Sequence, residues 1–411
     1  MPDRKTAPLG ELAATHKSAM ATGPFGSAVS SRNFQTTGVP MLRGNNLSED
    51  IGTRIDDTDL VFLDVNLAGK FSRSFARRGD LIFTCWGTVG QVGIIWENSA
   101  HSEYIVSNKQ MKMTVDPSKV HPLYLYYHLS QPSMVDQVKS QSIGSSVPGF
   151  NLGQLKRIEV AIPDLMEQAA VVDILSALDD RIAANLKLTK TILELADMLY
   201  TRETQGVTAS GPTFAEVANV SGGGTPKTGI DEYWGGDTYW ATPTDVTALD
   251  GPYLESTARR ITEAGLNSCA SPLYPPGSIL MTSRATIGSF AITQVPAAVN
   301  QGFIVVNPHD SNLHWWLFHE MRSRVEEFVS FANGATFLEL SRGQFKKLRL
   351  RWTDVDRMGA FGIVANALHN RGRAALAENN LLANARDTLL PQLMSGRIRV
   401  KDAEERAAEV L

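Results

Sequence analysis

Val171, Leu175, Leu178, Ile182, Asn185, Thr189, Ile192, Ala196 and Leu199 follow one another at alternating spacings of four and three. That is the a/d pattern of a coiled coil, in which one stripe of a helix is buried against a partner helix. The spacing predicts a helix from about residue 164 to 200, starting near Pro163, where a proline suits the first turn. At 1.5 Å per residue such a helix is roughly 55 Å long. Elsewhere the period changes from helical to alternating. "GDLIFTCW", "VGIIWE", "MKMTVD", "GSILMTS", "SFAITQV" and "GFIVVNP" are short β-branched and apolar runs bounded by glycine and proline, and they read as strands. Residues 122–139 and 312–331 read as helices whose Tyr, Trp and Leu residues form core.

These elements occur twice. "GVPMLRGNNL" at 38–47 aligns with "DTYWATPTDV" at 237–246, and "GDLIFTCWGTVGQVGII" at 79–95 with "GSILMTSRATIGSFAIT" at 277–293. Further along, "PLYLYYHLSQPSMVDQV" faces "NLHWWLFHEMRSRVEEF", "GQLKRIEV" faces "GQFKKLRL", and "ALDDRI" faces "ALHNRG". Matches kept in order over the chain mark an internal duplication. Each copy is a mixed domain followed by a helix. The second seam, Phe361, Ala365, Leu368, Gly372, Ala375, Asn379, Leu382, Arg386 and Leu389, carries small residues that permit close approach. The simplest closure packs the two helices antiparallel with one globular domain at each end; the alternative packs each helix on its own domain. The expected fold is therefore α+β, with boundaries at 8–160, 161–211, 212–352 and 353–411.

Composition narrows the function. The 411 residues suffice for two or three domains, and no apolar run reaches the length of a membrane helix or a signal-peptide core. A cytoplasmic protein is expected. Cys85 and Cys269 lie in different halves, which argues against a disulfide framework and excludes a cysteine-based zinc site. His314 and His319 have the wrong spacing for a helical metal pair, so no metal is expected. The net charge of −4 argues against nucleic acid at first sight, but the acid is concentrated in 161–211. Clusters such as Arg73, Arg77 and Arg78, or Lys346, Lys347, Arg349 and Arg351, remain outside it.

"SGGGTPKTGIDEYWGGDTYWATPTDV" at 221–246 superficially resembles a phosphate-gripping nucleotide loop. Pro226 stands where that loop needs a glycine and removes a backbone donor, so the nucleotide reading fails. Its glycines let the backbone turn tightly and approach a phosphate, with Trp234 and Trp240 as anchors and Lys227 as a phosphate contact. Two similar domains held at a fixed separation suit a ligand with two sites at fixed spacing. DNA is one, since half-sites a helical turn apart are separated by about 34 Å.

The run 221–246, "TGPFGS" at 22–27, "SRATIG" at 283–288, "IPDLMEQAAVVDILSALDDRIAANLKL" and the terminal "RDTLLPQLMSGRI" closely resemble the specificity subunit of type I restriction–modification enzymes. The resemblance covers nearly the whole chain. It implies two target-recognition domains, each reading half of a bipartite duplex DNA target, separated by two long antiparallel coiled-coil spacer helices. It further implies that the helices dock two DNA adenine methyltransferase subunits, and that restriction subunits can join. Catalysis and cofactors, S-adenosylmethionine, ATP and magnesium, would then belong to those partners and none to this chain. The second spacer departs from the pattern, with "RWTDVDRM" in place of "AIPDLMEQ".

Base readers are sought where the repeat keeps the frame and changes the side chain. Arginine suits guanine, and asparagine or glutamine suits adenine. The candidates are Arg43, Asn45 and Asn46 against Thr242, Thr244 and Asp245; Trp86 and Thr88 against Arg284 and Thr286; and Ser142, Ser145 and Ser146 against Asn333 and Thr336. Helix docking is assigned to Leu175, Leu178, Ile182, Ile192, Leu368, Leu382 and Leu389. Three other readings stay open: a stand-alone methyltransferase or nuclease, a coiled-coil protein scaffold without DNA, and a specificity subunit whose partner fuses methylation and cleavage. Against the first, the nearest approach to the Asn-Pro-Pro-aromatic motif of adenine methyltransferases is "NPHD" at 307–310.

Overall fold

The computed structural model describes residues 4–24, 28–142, 149–334 and 338–411. By contacts the chain divides into two units, Met1–Ala183 with Asn380–Leu411, and Ala184–Asn379. The division therefore runs through the two long helices, Leu165–Glu203 and Val355–Met394, rather than at their ends.

Among the described residues the first unit holds ten strands: β1 (Lys5–Pro8), β2 (Met20–Thr22), β3 (Val39–Leu42), β4 (Val61–Leu63), β5 (Phe75–Arg77), β6 (Leu81–Thr84), β7 (Val92–Ile94), β8 (Glu103–Val106), β9 (Gln110–Met113) and β10 (Glu159–Ile162). They form sheets in the orders β2-β9-β6-β7, β4-β3-β8-β5 and β1-β10, with β3 and β8 parallel. The second unit holds β11 (Ala218–Ser221), β12 (Trp234–Ala241), β13 (Tyr253–Leu254), β14 (Arg259–Ile261), β15 (Ile279–Thr282), β16 (Phe290–Thr293), β17 (Ala297–Val299) and β18 (Phe303–Pro308). Their orders are β11-β18-β15-β16-β13 and β14-β12-β17, with β12 and β17 parallel. The topology is thus written twice: β2-β9-β6-β7 corresponds to β11-β18-β15-β16, and β4-β3-β8 to β14-β12-β17.

The central strands show why their sequences lack polar alternation. In β15, Ile279 and Met281 enter one apolar cluster while Leu280 enters another. In β6, Leu81 and Phe83 likewise face one cluster and Ile82 a second. Both faces are covered, so these strands read as apolar runs rather than as an alternation. Turn geometry repeats too. Positive φ recurs at Gly79 and Gly277 (87° and 88°), Gly87 and Ala285 (90° and 59°), and Gly90 and Gly288 (102° and 92°).

The helix expected over 122–139 is broken into Pro122–Ser130 and Pro132–Ser140, because Gln131 precedes a proline and takes an extended conformation (φ −61°, ψ 142°). The one expected over 312–331 divides into His314–Ser323 and Val325–Ser330 at Arg324. The first long helix begins one residue after Asp164, whose carboxylate accepts from the Glu167 amide at 2.8 Å, so Asp164 caps it and Pro163 lies just outside. Asp354 accepts from Asp356 in the same way ahead of the second.

Within each unit the two long helices pack antiparallel. In the second unit Asn185 donates to Asn379 at 2.9 Å, Thr189 donates to the Gly372 carbonyl at 3.4 Å, and Arg357 pairs with Glu203 at 2.6 Å. One residue number falls as the other rises. In the first unit the corresponding rung is Arg386 to Asp179 at 2.8 Å, with Tyr127 donating to the same carboxylate at 2.6 Å. Both seams follow the heptad positions: Val171, Leu175, Leu178, Ala196, Ala365, Ala375 and Leu382 are fully buried. A second polar chain ties both helices to the second mixed domain. Asp197 accepts from Arg322 and contacts His319 at 2.7 Å, the His319 and His369 Nε2 atoms lie 3.0 Å apart, and Tyr253 reaches His369 at 2.8 Å. Burial would raise the Asp197 carboxyl, but the hydrogen bonds from His319 and Arg322 hold it at about 2.

Candidate nucleic-acid interface

In the first mixed domain the turn after β3, the β6–β7 hairpin and Gly149 are neighbours. Arg43, Asn45, Trp86 and Thr88 line one cleft of about 620 Å³, with Lys109 beside them. Arg43 donates to the Asp59 carbonyl at 2.8 Å and its guanidinium lies 5.8 Å from the Phe34 ring. Asn45 donates to the Asp59 carboxylate at 3.1 Å, and Thr88 donates to Gln91 at 2.6 Å. Trp86 is half exposed, bridges to Gly149, and leaves no room for a side chain there: a Cβ on Gly149 would lie 2.7 Å from the ring. Cys85, one residue before it, is buried, which pushes its thiol up to about 11 and makes it an inert core group. Ser142 donates to the Lys139 carbonyl, while Ser145 and Ser146 lie outside the described residues.

In the second domain the hairpin of β15 and β16 carries Arg284 and Thr286, both exposed, around Ala285. Arg284 and Asn333 each bridge to Glu339, and the Arg284 Nε atom lies 3.1 Å from the Glu339 carboxylate. Asn333 donates its side-chain amide to the Phe331 carbonyl at 3.2 Å and is exposed. Thr336 lies outside the described residues. Lys227 is exposed on the loop before β12. Trp240 anchors that loop, donating to the Gly224 carbonyl at 3.1 Å from a buried position, whereas Trp234 is half buried under the Arg259 guanidinium at 3.5 Å.

Two expected base readers are corrected. Asn46 is fully buried: its oxygen accepts from the Arg43 amide at 2.9 Å and its nitrogen donates to the Asp56 carbonyl at 3.0 Å. Asp245 does the same work three residues after Thr242, accepting from the Thr242 amide and hydroxyl at 2.8 and 2.6 Å and from the Ala258 amide at 2.8 Å. Both close the turn after the first long loop, which occupies the Thr242 hydroxyl as well. The docking assignment is corrected too. Leu175, Leu178, Ile192, Leu382 and Leu389 are buried, and Ile182 and Leu368 half buried, in the seams and cores of their own units. The apolar residues that the long helices expose are others, among them Met166, Met198, Ile363 and Leu381.

Two side chains escaped sequence reasoning. Lys109 joins the first cleft, and Glu339 pairs with Arg284. The signal for Glu339 lay in the repeat: it aligns with Gly149, and the partners Trp86 and Arg284 align with each other. Among the described residues no group of three or more His, Cys, Asp or Glu could hold a metal, and no helix is long and apolar enough to cross a membrane.

The twofold architecture has a counterpart in sequence comparison. The type I restriction modification DNA specificity domain matches twice, over residues 56–194 and 213–351. The chain belongs to this family. It is a DNA sequence-specificity subunit of the type I restriction–modification kind. The type I restriction enzyme HindI specificity subunit of Haemophilus influenzae is 20% identical over 81% of this chain and 89% of that protein. The MjaIX specificity subunit of Methanocaldococcus jannaschii is 36% identical over a shorter stretch, 33% of this chain and 32% of its own length. The fold matches that of the type I S subunit from M. genitalium with a TM-score of 0.56 over 96% of this chain and 97% of that one, at 14% identity.

Proposed function

We propose that this specificity subunit is the non-catalytic DNA reader of a cytoplasmic complex, each mixed domain reading one half of a bipartite duplex target. The observation that carries the reading is the duplication itself: the two domains share sheet order, turn geometry and turn-closing hydrogen bonds, yet differ at the hairpin tip and the residue it bridges to, where Trp86 and Gly149 stand against Arg284 and Glu339. A frame kept constant with exchanged tips is what two heads with different base sequences require. Arg43, Asn45, Trp86 and Thr88 contact one half-site, Arg284, Thr286 and Asn333 the other, and Lys227 a phosphate.

The long helices dock two DNA adenine methyltransferase subunits through apolar residues outside their seams, including Met166, Met198, Ile363 and Leu381, which support the reading by their exposure. S-adenosylmethionine binds to those partners, and ATP and magnesium to restriction subunits that join them. Binding assays on the assembled methyltransferase complex test the reading. The complex is expected to bind one bipartite duplex selectively and with strong salt dependence. Lys227→Ala is expected to weaken binding to all sequences and lower the salt slope by about one, as loss of one phosphate contact does. Binding without sequence preference, or methyl transfer by this chain alone, would contradict the proposal.

A further inference from the structure

Between the two domains one pair of positions changes together. Trp86 bridges to Gly149, and at the aligned positions Arg284 bridges to Glu339. The first pair is coupled sterically, because the indole fills the space a Cβ on Gly149 would need. The second is coupled electrostatically, with Nε and Oε2 3.1 Å apart. Both members of the charged pair remain nearly half exposed, at 45% and 44%. The exchange of an apolar pair for a complementary charged pair, at the tip of an otherwise repeated hairpin, indicates that the two positions act as a unit.

Resting on the reading of this domain as a DNA head, we propose that Arg284 and Glu339 together read a single G·C base pair of the second half-site, Arg284 on guanine and Glu339 on cytosine. In the major groove guanine offers the acceptors O6 and N7 and cytosine the donor N4–H, and arginine and a carboxylate are their complements. The cytosine donor and guanine O6 are joined by the pair's own N–H···O hydrogen bond, so they stand about 2.9 Å apart. The ion pair, with Nε and Oε2 3.1 Å apart, likewise holds a guanidinium and a carboxylate side by side, so the protein presents donors and an acceptor together to the two bases of one pair. Glu339 engages the Nε side of the guanidinium, and among the described residues its two terminal nitrogens have no hydrogen-bond partner, which leaves the forked end for O6 and N7. Glu339 keeps a second carboxylate oxygen for cytosine. Ala285 adds to the case: its left-handed backbone, φ 59°, is unfavourable for a residue with a Cβ and fixes the hairpin turn from which Arg284 projects. The first domain, with an indole and a glycine in these places, cannot make this two-sided contact.

The alternative role for the pair is a brace between the hairpin and the segment near 339. The experiment separates the two. The full chain is assembled with its methyltransferase subunits, and methylation rates are measured on duplexes carrying each of the four base pairs at every position of both half-sites. For Arg284→Ala and for Glu339→Ala, discrimination is expected to fall about 5- to 150-fold at one and the same G·C position of the second half-site, with every other position unchanged. The near-isosteric Glu339→Gln, which keeps the shape of the pair, is expected to lose preference for cytosine at that position while retaining the wild-type melting temperature. A uniform loss on all duplexes, or relaxation at two different positions, would overturn the proposal while leaving the DNA-reading function standing. A wild-type complex without any bipartite target would overturn both.

Discussion

Gly23 and Gly223 occupy equivalent places, and a Cβ built there would lie 2.0 Å from the Ser107 carbonyl oxygen and 1.8 Å from that of Val299. Backbone is the obstacle in each case, so the neighbour cannot rotate away. Gly223→Ala is therefore expected to destabilise the second unit by at least about 2 kcal/mol, the scale of overpacking a tight interior, read as a lower midpoint in urea. An unchanged midpoint would contradict the close approach. At this scale the sequence was only half legible. The short apolar runs bounded by glycine and proline announced β6, β7, β9, β15, β16 and β18, because burial on both faces leaves an apolar string. The roles of Asn46 and Asp245 were not legible, since an asparagine that reads adenine and one that closes a turn have the same side chain. Only the hydrogen bonds to residues three before and ten or more after distinguish them.

At the scale of elements, the long helices are joined by polar rungs as well as apolar seams, and these impose a pH dependence. His319 and His369 are essentially inaccessible, and burial lowers both pKa values, that of His369 to about 2 with help from the charge of Arg322. In the unfolded chain a histidine titrates near 6.5. Below that value the unfolded state binds the protons that the folded state refuses, so the stability contributed by the neutral pair is fully present above about pH 6.5 and is lost as pH falls. Each histidine costs up to about 1.4 kcal/mol per pH unit. Asp197 titrates lower, its stabilisation persisting above about pH 4 and disappearing toward its folded value of about 2. Urea unfolding between pH 7 and pH 5 is expected to show falling stability of the second unit, with a shallower slope for His369→Gln. Equal slopes would contradict the buried neutral pair. The heptads predicted both seams because a/d spacing is a local property. They also drew the docking assignment onto the seam, because a strong apolar stripe marks what the chain buries against itself.

For the whole molecule, the duplication was the most legible feature, since it needs only alignment of the chain with itself, and it leads to the central claim that two heads with different tips read two half-sites separated by the helices. The most direct measurement is methylation mapping of a lengthened variant. Four residues inserted after Lys187 and four after Ala377, positions that face each other in the register set by Asn185 and Asn379, add about 6 Å to each helix. That is close to two base-pair steps of about 3.4 Å, while the added rotation of about 40° beyond one turn leaves the seam strained but not reversed. DNA absorbs part of such a mismatch by twisting. The account predicts the same two half-sites with one or two more unread base pairs between them. An unchanged gap, or altered half-sites, would contradict it.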